Sequence, residues 1–433
     1  MRALLEVVRR HRAGEAVGIC SVCSAHPLVL RAALQHAHAT GGQALIEATS
    51  NQVNQEGGYT GLRPAGFRDV VCRIADEIGL PRERLLLGGD HLGPNCWQSL
   101  PAADALQRAA AMITEYVRAG FRKIHLDCSM SCSDDPRRLP DALIAERTAT
   151  LCAQAEQTWE RAGGERPVYV IGSEVPVPGG AQEALHELAV TEPQAALASI
   201  EAHHAAFARR GLDAVWERVI ALVVQPGVEF DQDAVVEYDS AKAQRLSACL
   251  EVAPRFVFEA HSTDYQPAGM LAALVDDGFA ILKVGPGLTF ALREALYGLD
   301  AIAVELAAIR PEESLERTME RVMLDNPAHW RSHYPGSPEE QRLLRHFSYS
   351  DRIRYYWPDS RAAAAVERLI DRLGASAIPE TLISQHLTRL HSSVLAGEIP
   401  PKPRELCLAA VNMALDPYYA ATRGAPSSAA SPP

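Results

Sequence analysis

The stretch FVFEAHSTD (256–264) opens with an apolar run and then sets a carboxylate and an imidazole, Glu259 and His261, two residues apart before a polar turn. Residues two apart on a strand share a face, so both side chains can point into one space at the strand's end. Seven other runs have this character: AVGICSVCS (16–24), QALIEAT (43–49), LLLGGDH (85–91), KIHLDCS (123–129), PVYVIGSEV (167–175), VIALVVQPG (219–227) and AILKVGPG (280–287). Each is followed by an Ala/Leu-rich amphipathic segment, the alternation expected of βα units around a parallel sheet. Eight units over roughly 300 residues predict an α/β fold of the (β/α)8 TIM-barrel type; an open doubly wound sheet usually has fewer strands and a Gly-rich first turn, which is missing here.

The expected organisation is a barrel over 1–310, a helical extension packed on it over 311–418, and a disordered tail over 419–433 that carries TRGAPSSAASPP. With 433 residues, 47% of them hydrophobic, the chain can bury a full core. A formal net charge of -12 argues against a nucleic-acid binder, which needs a concentrated basic surface. The N-terminus MRALLEVVRRHRAGEAVG lacks the uncharged core of a signal peptide, and no apolar run is long enough to span a bilayer, so a cytoplasmic protein without a membrane partner is expected. The nine scattered cysteines are read as reduced thiols.

Barrel chemistry collects at the C-terminal ends of the strands, where this sequence concentrates its polar residues. Glu47, Asn51 and Gln52 follow strand two, Asp90 and His91 end strand three, and His125 and Asp127 share a face of strand four. Glu174 ends strand five, Gln225 strand six, and Lys283 strand eight. Gly88 and Gly89 should permit a bend that lets the adjacent Asp90 and His91 reach one site. A His and carboxylate cluster without paired thiolates suits an open, catalytic divalent-metal site, with zinc the first choice and manganese, magnesium or nickel the alternatives. The expected ligands are His91 and His261, completed by Glu259 or Glu174. Asp90, with Glu174 and Asp127, is then free for acid/base work, and Glu47, Asn51, Gln52, His125, Gln225 and Lys283 are left to bind substrate.

Gly285 and Gly287, just before the helix-like TFALREA, fit a phosphate loop at a helix N-terminus, with Arg293 as a further anion contact. The segment Asp351, Arg352, Arg354, Tyr355, Tyr356, Trp357 reads as a helix end, a lid or a second anion clamp. Strand alternation puts Cys20 and Cys23 on opposite faces, which favours packing over redox chemistry, and Cys128 and Cys132 are not read as metal ligands.

Taken together, SVCSAHPLVL, LIEATSNQVNQ with GGYTG, LGGDHLGPN, KIHLDCSMSC, YVIGSEVPVPGG, VVQPGVEFD, FEAHSTDYQ, ILKVGPGLTFALREA and SDRIRYYWPDS closely resemble the non-catalytic, Z-type subunit family of class II D-tagatose-1,6-bisphosphate aldolase, over Met1 to about Leu415. Members have also been labelled tagatose-6-phosphate kinases, and relatives are regarded as ketohexose-phosphate 4-epimerases. The resemblance implies a ketohexose phosphate substrate more firmly than a reaction. A kinase is not expected, because neither a P-loop nor a kinase-type glycine loop is present. The C4 hydrogen of a 2-ketose is not α to the carbonyl, so C4 epimerisation is expected to break and remake the C3–C4 bond with metal assistance. The alternative is a purely accessory subunit that stabilises a separate aldolase catalytic subunit. A Schiff-base variant through Lys283 ranks third, and a homo-oligomer is compatible with the sequence.

Overall fold

Nearly continuous apolar runs suit strands buried on both faces, as the eight barrel strands are. The computed structural model describes residues 1–175, 188–374 and 376–423. Its strands are β1 (Ile19–Val22), β2 (Ala44–Thr49), β3 (Leu85–Leu92), β4 (Lys123–Leu126), β5 (Val168–Ile171), β6 (Val219–Val223), β7 (Val257–Ala260) and β8 (Phe279–Val284). They pair in parallel and close into a barrel, β8 meeting β1 with Lys283 opposite Ser21. Glu47, Asp90, His91, His125, Glu259 and Lys283 lie within the strands, while Asp127 and His261 follow directly on β4 and β7. A short antiparallel pair, Glu229–Phe230 with Val235–Val236, decorates the loop after β6.

Helices follow the strands and form the outer ring. The first, Pro27–Thr40, shows why they start and stop where they do. Proline occupies its first turn, His26 accepts the Leu28 amide, and Gly41 ends it in a left-handed conformation at φ 70°. Among the described residues, no helix is long and apolar enough to cross a membrane.

Inside the barrel, side chains stack in tiers from the N-terminal floor upward. The helix Arg2–Arg12 closes the floor: Met1, Leu4 and Val8 form one apolar cluster with Ile19, Leu45, Leu86, Val168, Val257 and Ile281. Burying a Leu or Val side chain there contributes about 1.5–3 kcal/mol. Above this tier the interior turns ionic. Lys123 Nζ lies 2.7 Å from Glu47 Oε1 and 2.6 Å from Glu259 Oε2, all three residues being fully buried. Lys283 Nζ lies 2.8 Å from Glu47 Oε2. Gly88 makes room for this tier, because a Cβ there would stand 2.8 Å from Glu47 Cγ.

After the last barrel helix, Pro286–Glu305, the described residues form six further α-helices between Leu315 and Thr422. The last, Pro403–Thr422, packs across Pro27–Thr40, Ala268–Asp276 and Pro286–Glu305. The expectation of a tail from 419 is corrected here, since the helix continues to Thr422. Its end is held by packing that composition does not reveal: Tyr419 stacks on His36 at 3.8 Å, the Tyr418 hydroxyl donates to the Thr263 carbonyl, and the Thr422 carbonyl accepts the Gly18 amide at 2.8 Å. Residues 424–433 lie outside the described residues.

The ionic tier yields the first prediction. Lys123→Met fills the same space but leaves Glu47 and Glu259 facing each other without their shared cation. Breaking a buried pair in this way costs about 3–5 kcal/mol, so the urea denaturation midpoint should fall accordingly. A loss below about 1 kcal/mol would show that these charges are not interdependent.

Candidate metal and sugar-phosphate site

Three imidazoles and a carboxylate meet at the barrel mouth. Asp90, His91, His125 and His261 are all buried, and each offers a ligand atom within 4.8 Å of the others'. Asp90 and His91 reach it together through a break in β3. The pairing register with β4 shifts between Gly89 and Leu92, and His91 itself takes a positive φ of 48°. The bend is therefore at His91 and not at Gly88 and Gly89, which have no positive φ. Gly89 instead leaves room for Leu92 and Tyr116, whose atoms would lie 2.6 and 2.8 Å from an added Cβ.

Hydrogen-bond partners assign the ring protons. His91 Nδ1 sits 2.7 Å from Asp127 Oδ2, whose other oxygen accepts from the amide and hydroxyl of Ser129. Although burial opposes the charge of Asp127, His91 and the other donors hold this carboxyl well below the usual range. In the neutral His91 ring Nδ1 therefore donates and Nε2 presents a lone pair. His261 Nε2 donates to Glu259 Oε1 at 2.9 Å, leaving Nδ1 bare. Burial pulls the His261 pKa down to about 3. The two bare nitrogens, His91 Nε2 and His261 Nδ1, face each other at 3.2 Å. At that distance either a proton shared by the two nitrogens or a metal ion bound by both can bridge them. His125 Nδ1 lies 2.8 Å from Asp90 Oδ1, and its Nε2 is buried without a partner.

Charge points the same way. The carboxylates of Glu47, Asp90 and Glu259 share the two ammonium groups of Lys123 and Lys283, while Asp127 faces His91. Burial opposes charge on both Asp90 and His91. The cations around Asp90 nevertheless hold its carboxyl well below the usual range, and Asp90 and Asp127 raise the His91 pKa. With the three imidazoles neutral, a divalent cation among them would match the two negative charges left by four carboxylates and two ammonium groups, and an all-nitrogen and oxygen donor set suits zinc or a related ion.

The expected residues separate into those that reach this cluster and those that do not. His125, expected to touch substrate, joins the metal set. Glu259, expected as a ligand, stands behind it, with one oxygen on His261 and the other on Lys123. Asp127 likewise stands behind His91. Glu47 is buried below, bonded to Ser21, Lys123 and Lys283. Asn51, Gln52 and Lys283 line the mouth cavity with Asp90, His91 and His261. Glu174 is exposed and does not line it. Gln225 spends its carbonyl oxygen on the Gly227 and Val228 amides of its own loop.

The glycine loop is a correction. The amides of Gly285 and Gly287 both donate to Asp264 Oδ1, at 2.9 and 2.7 Å, so a carboxylate of the chain already occupies the position expected for phosphate. Burial pushes the Asp264 pKa up to about 6. Arg293 is corrected too: it is 3% exposed and packs over Phe290, Tyr297 and Phe347. Lys283 Nζ is held by Glu47 Oε2 and Asp90 Oδ1 at 2.8 Å each, and these carboxylates overcome burial to keep it an ammonium. Cys23, expected only to pack, lines the mouth, with its sulfur 3.8 Å from Asp90 Oδ2. Tyr59, Phe230, Ser262 and Asp264 also line it without having been singled out as site residues. Arg354 and Tyr355 arrive from the 3-10 turn Arg352–Tyr356, within the segment whose planar side chains had drawn attention.

Comparison with known proteins bears on this site. A family model described as D-tagatose-1,6-bisphosphate aldolase subunit GatZ/KbaZ-like matches residues 4–423. A solved structure described as a probable tagatose 6 phosphate kinase from Sinorhizobium meliloti 1021 is 54% identical, covers 93% of this chain and 100% of its own, and superposes with a TM-score of 0.86. A fructuronate-tagaturonate epimerase from Cohnella laeviribosi is 11% identical, covering 94% of this chain and 82% of that one at a TM-score of 0.49. A fructose-bisphosphate aldolase from Campylobacter jejuni is 15% identical, covering 86% and 92% at 0.42. The last two are too remote to inform the chemistry. The match along nearly the whole chain and the 54% identical structure place this protein in the GatZ/KbaZ-like family of D-tagatose-1,6-bisphosphate aldolase subunits.

Proposed function

We propose that the chain is itself a divalent-metal-dependent enzyme that breaks and remakes the C3–C4 bond of a ketohexose 6-phosphate, interconverting the tagatose and fructose epimers at C4. The observation that carries this reading is the pair of bare imidazole nitrogens 3.2 Å apart, His91 Nε2 and His261 Nδ1, at the floor of a mouth lined by Asp90. His91, His125 and His261 would hold the ion, which supplies Lewis-acid stabilisation of the negative charge that develops on a ketose oxygen.

Asp90 is the base that the geometry favours. Its Oδ1 is taken by the His91 amide, His125 and Lys283, whereas Oδ2 has no close hydrogen-bond partner, with His91 Nε2 at 3.7 Å and the Cys23 thiol at 3.8 Å. Oδ2 accepts the proton of the C4 hydroxyl as the C3–C4 bond breaks and its electron pair passes into the C2 carbonyl. If the aldehyde fragment turns its other face before the bond re-forms, Asp90 returns the proton and the C4 epimer results. Escape of the fragment gives net aldol cleavage. Lys283, held as an ammonium between two carboxylates, is poorly suited to Schiff-base chemistry. Phosphoryl transfer lacks support, because no glycine-rich nucleotide loop is present and the Gly285 and Gly287 amides are already engaged.

The accessory reading draws on the family's description as an aldolase subunit. Purified chain with divalent metal, incubated separately with tagatose 6-phosphate and tagatose 1,6-bisphosphate, separates the two. The epimer as product supports the enzyme. No turnover of either sugar, with activation of a partner aldolase, supports the accessory role.

Two predictions follow from the cluster. Stripping the metal with chelator should abolish turnover, and adding back zinc, manganese, magnesium or nickel should restore it with one of them; full activity in metal-free protein, or borohydride trapping of substrate on Lys283, would remove the metal from the mechanism. Asp90→Asn should lower turnover by about two to four orders of magnitude with bound metal unchanged. Wild-type-like turnover by this variant would take Asp90 out of the reaction.

A further inference from the structure

We infer that Arg354, carried by the C-terminal extension, is the anchor for the substrate's phosphate group. This assignment rests on the sugar-phosphate reading above. It replaces the glycine loop, whose amides Asp264 already occupies.

The guanidinium is buried, at 8% exposure, and lines the same mouth as Asp90, His91 and His261. Among the described residues no carboxylate comes within 4.0 Å of it. Its Nη1 donates to the carbonyls of Ser350 and Asp351, and Nη2 makes only a long contact of 3.4 Å to the Tyr355 hydroxyl. A buried cation without an anion is costly, and one in a ligand-lined mouth is ready for an anion from outside. The two carboxylates whose charge acts on Arg354 make no direct pair with it: Asp264 Oδ1 takes the helix amides, and Asp351 takes the Thr289 hydroxyl on Oδ2 while its Oδ1 is buried without a hydrogen-bond partner.

The other cations near the mouth are committed. Lys283 is bound by Glu47 and Asp90, and Lys123 is fully buried between Glu47 and Glu259. Arg352, on the same turn, gives its Nε to the His329 carbonyl and does not line the mouth. Among the described residues Arg354 is thus the mouth-lining cation without an ion pair within 4.0 Å, above a floor rich in carboxylates. That polarity orients a sugar phosphate, with hydroxyl and carbonyl oxygens toward the imidazoles and phosphate toward the rim. The turn that presents Arg354 is well fixed. Asp351 starts it at a positive φ of 46°, the Tyr265 hydroxyl donates to the Tyr349 carbonyl at 2.7 Å, and the ring of Tyr355 lies 4.5 Å from that of Tyr59. A planar guanidinium so held can meet two phosphate oxygens at once, which a lysine cannot.

Isothermal titration calorimetry on the metal-loaded chain tests this without requiring turnover. The probes are tagatose 6-phosphate, inorganic phosphate and free tagatose. Arg354→Gln should weaken tagatose 6-phosphate binding about 10–100-fold and free tagatose by less than about 3-fold. Arg354→Lys, which keeps the charge and is the safer variant for folding, should fall between wild type and Gln. Arg404→Gln, at the rim of the adjoining cavity, should leave the affinity unchanged. Binding that discriminates by phosphate in a chain without turnover would support this site while sinking the proposed reaction. Equal losses for tagatose and its phosphate, unchanged affinity for the phosphate in folded Arg354→Gln, or no binding of either phosphate probe to the wild type would overturn the assignment.

Discussion

Excess negative charge buried in the barrel is the constraint from which the rest of the site follows. Four carboxylates share the interior with two lysines, and each lysine bridges carboxylates from more than one strand. Bare charges at such depth are unstable, so the geometry has to supply either protons or a cation. The protein aims three imidazoles at the remaining deficit and uses Asp127, Glu259 and Asp90 to set their tautomers. Ligand orientation by buried carboxylates raises ligand basicity and fixes ring position, so the layer beneath the imidazoles shapes the site as much as the imidazoles do.

The C-terminal helices connect to this arrangement at both ends. Their turn at Arg352–Tyr356 lays Arg354 and Tyr355 along the mouth, while the helix Pro403–Thr422 covers the outer ring and ties Tyr418 to the loop after β7 through the Thr263 carbonyl. That loop also carries Ser262 and Tyr265 at positive φ and Asp264 on the Gly285 and Gly287 amides. A region beyond the barrel thereby takes part in shaping the site, and its helices are more than a coat on the outer surface.

Much of this was legible in the sequence, because short apolar runs and residue spacing are local signals. The runs located all eight strands, and the two-residue spacing paired Glu259 with His261 and His125 with Asp127 on common faces. It could not say which member of a pair lies deeper. Glu259 and Asp127 fall behind their histidines because barrel tilt and register, not sequence spacing, decide depth. The bend at His91 was expected from Gly88 and Gly89, but those glycines serve close packing instead, a distinction visible only once Glu47, Leu92 and Tyr116 are in place. The glycine loop before the last barrel helix looked open to phosphate for the same reason: Asp264, more than twenty residues upstream of Gly285, competes for its amides, and nothing local announces it. Arg354 was flagged by the planar residues around it, yet its place at the mouth depends on a turn some seventy residues beyond β8.

The central claim is that His91, His125 and His261 hold a divalent cation. The most direct measurement is anomalous diffraction from crystals of the zinc-loaded chain, collected on both sides of the zinc absorption edge. The account predicts one strong anomalous peak between His91 Nε2 and His261 Nδ1, within coordination distance of both and of His125 Nε2, at about 2.0–2.1 Å. Fully occupied zinc elsewhere, with these two nitrogens still facing each other without a metal, would contradict it.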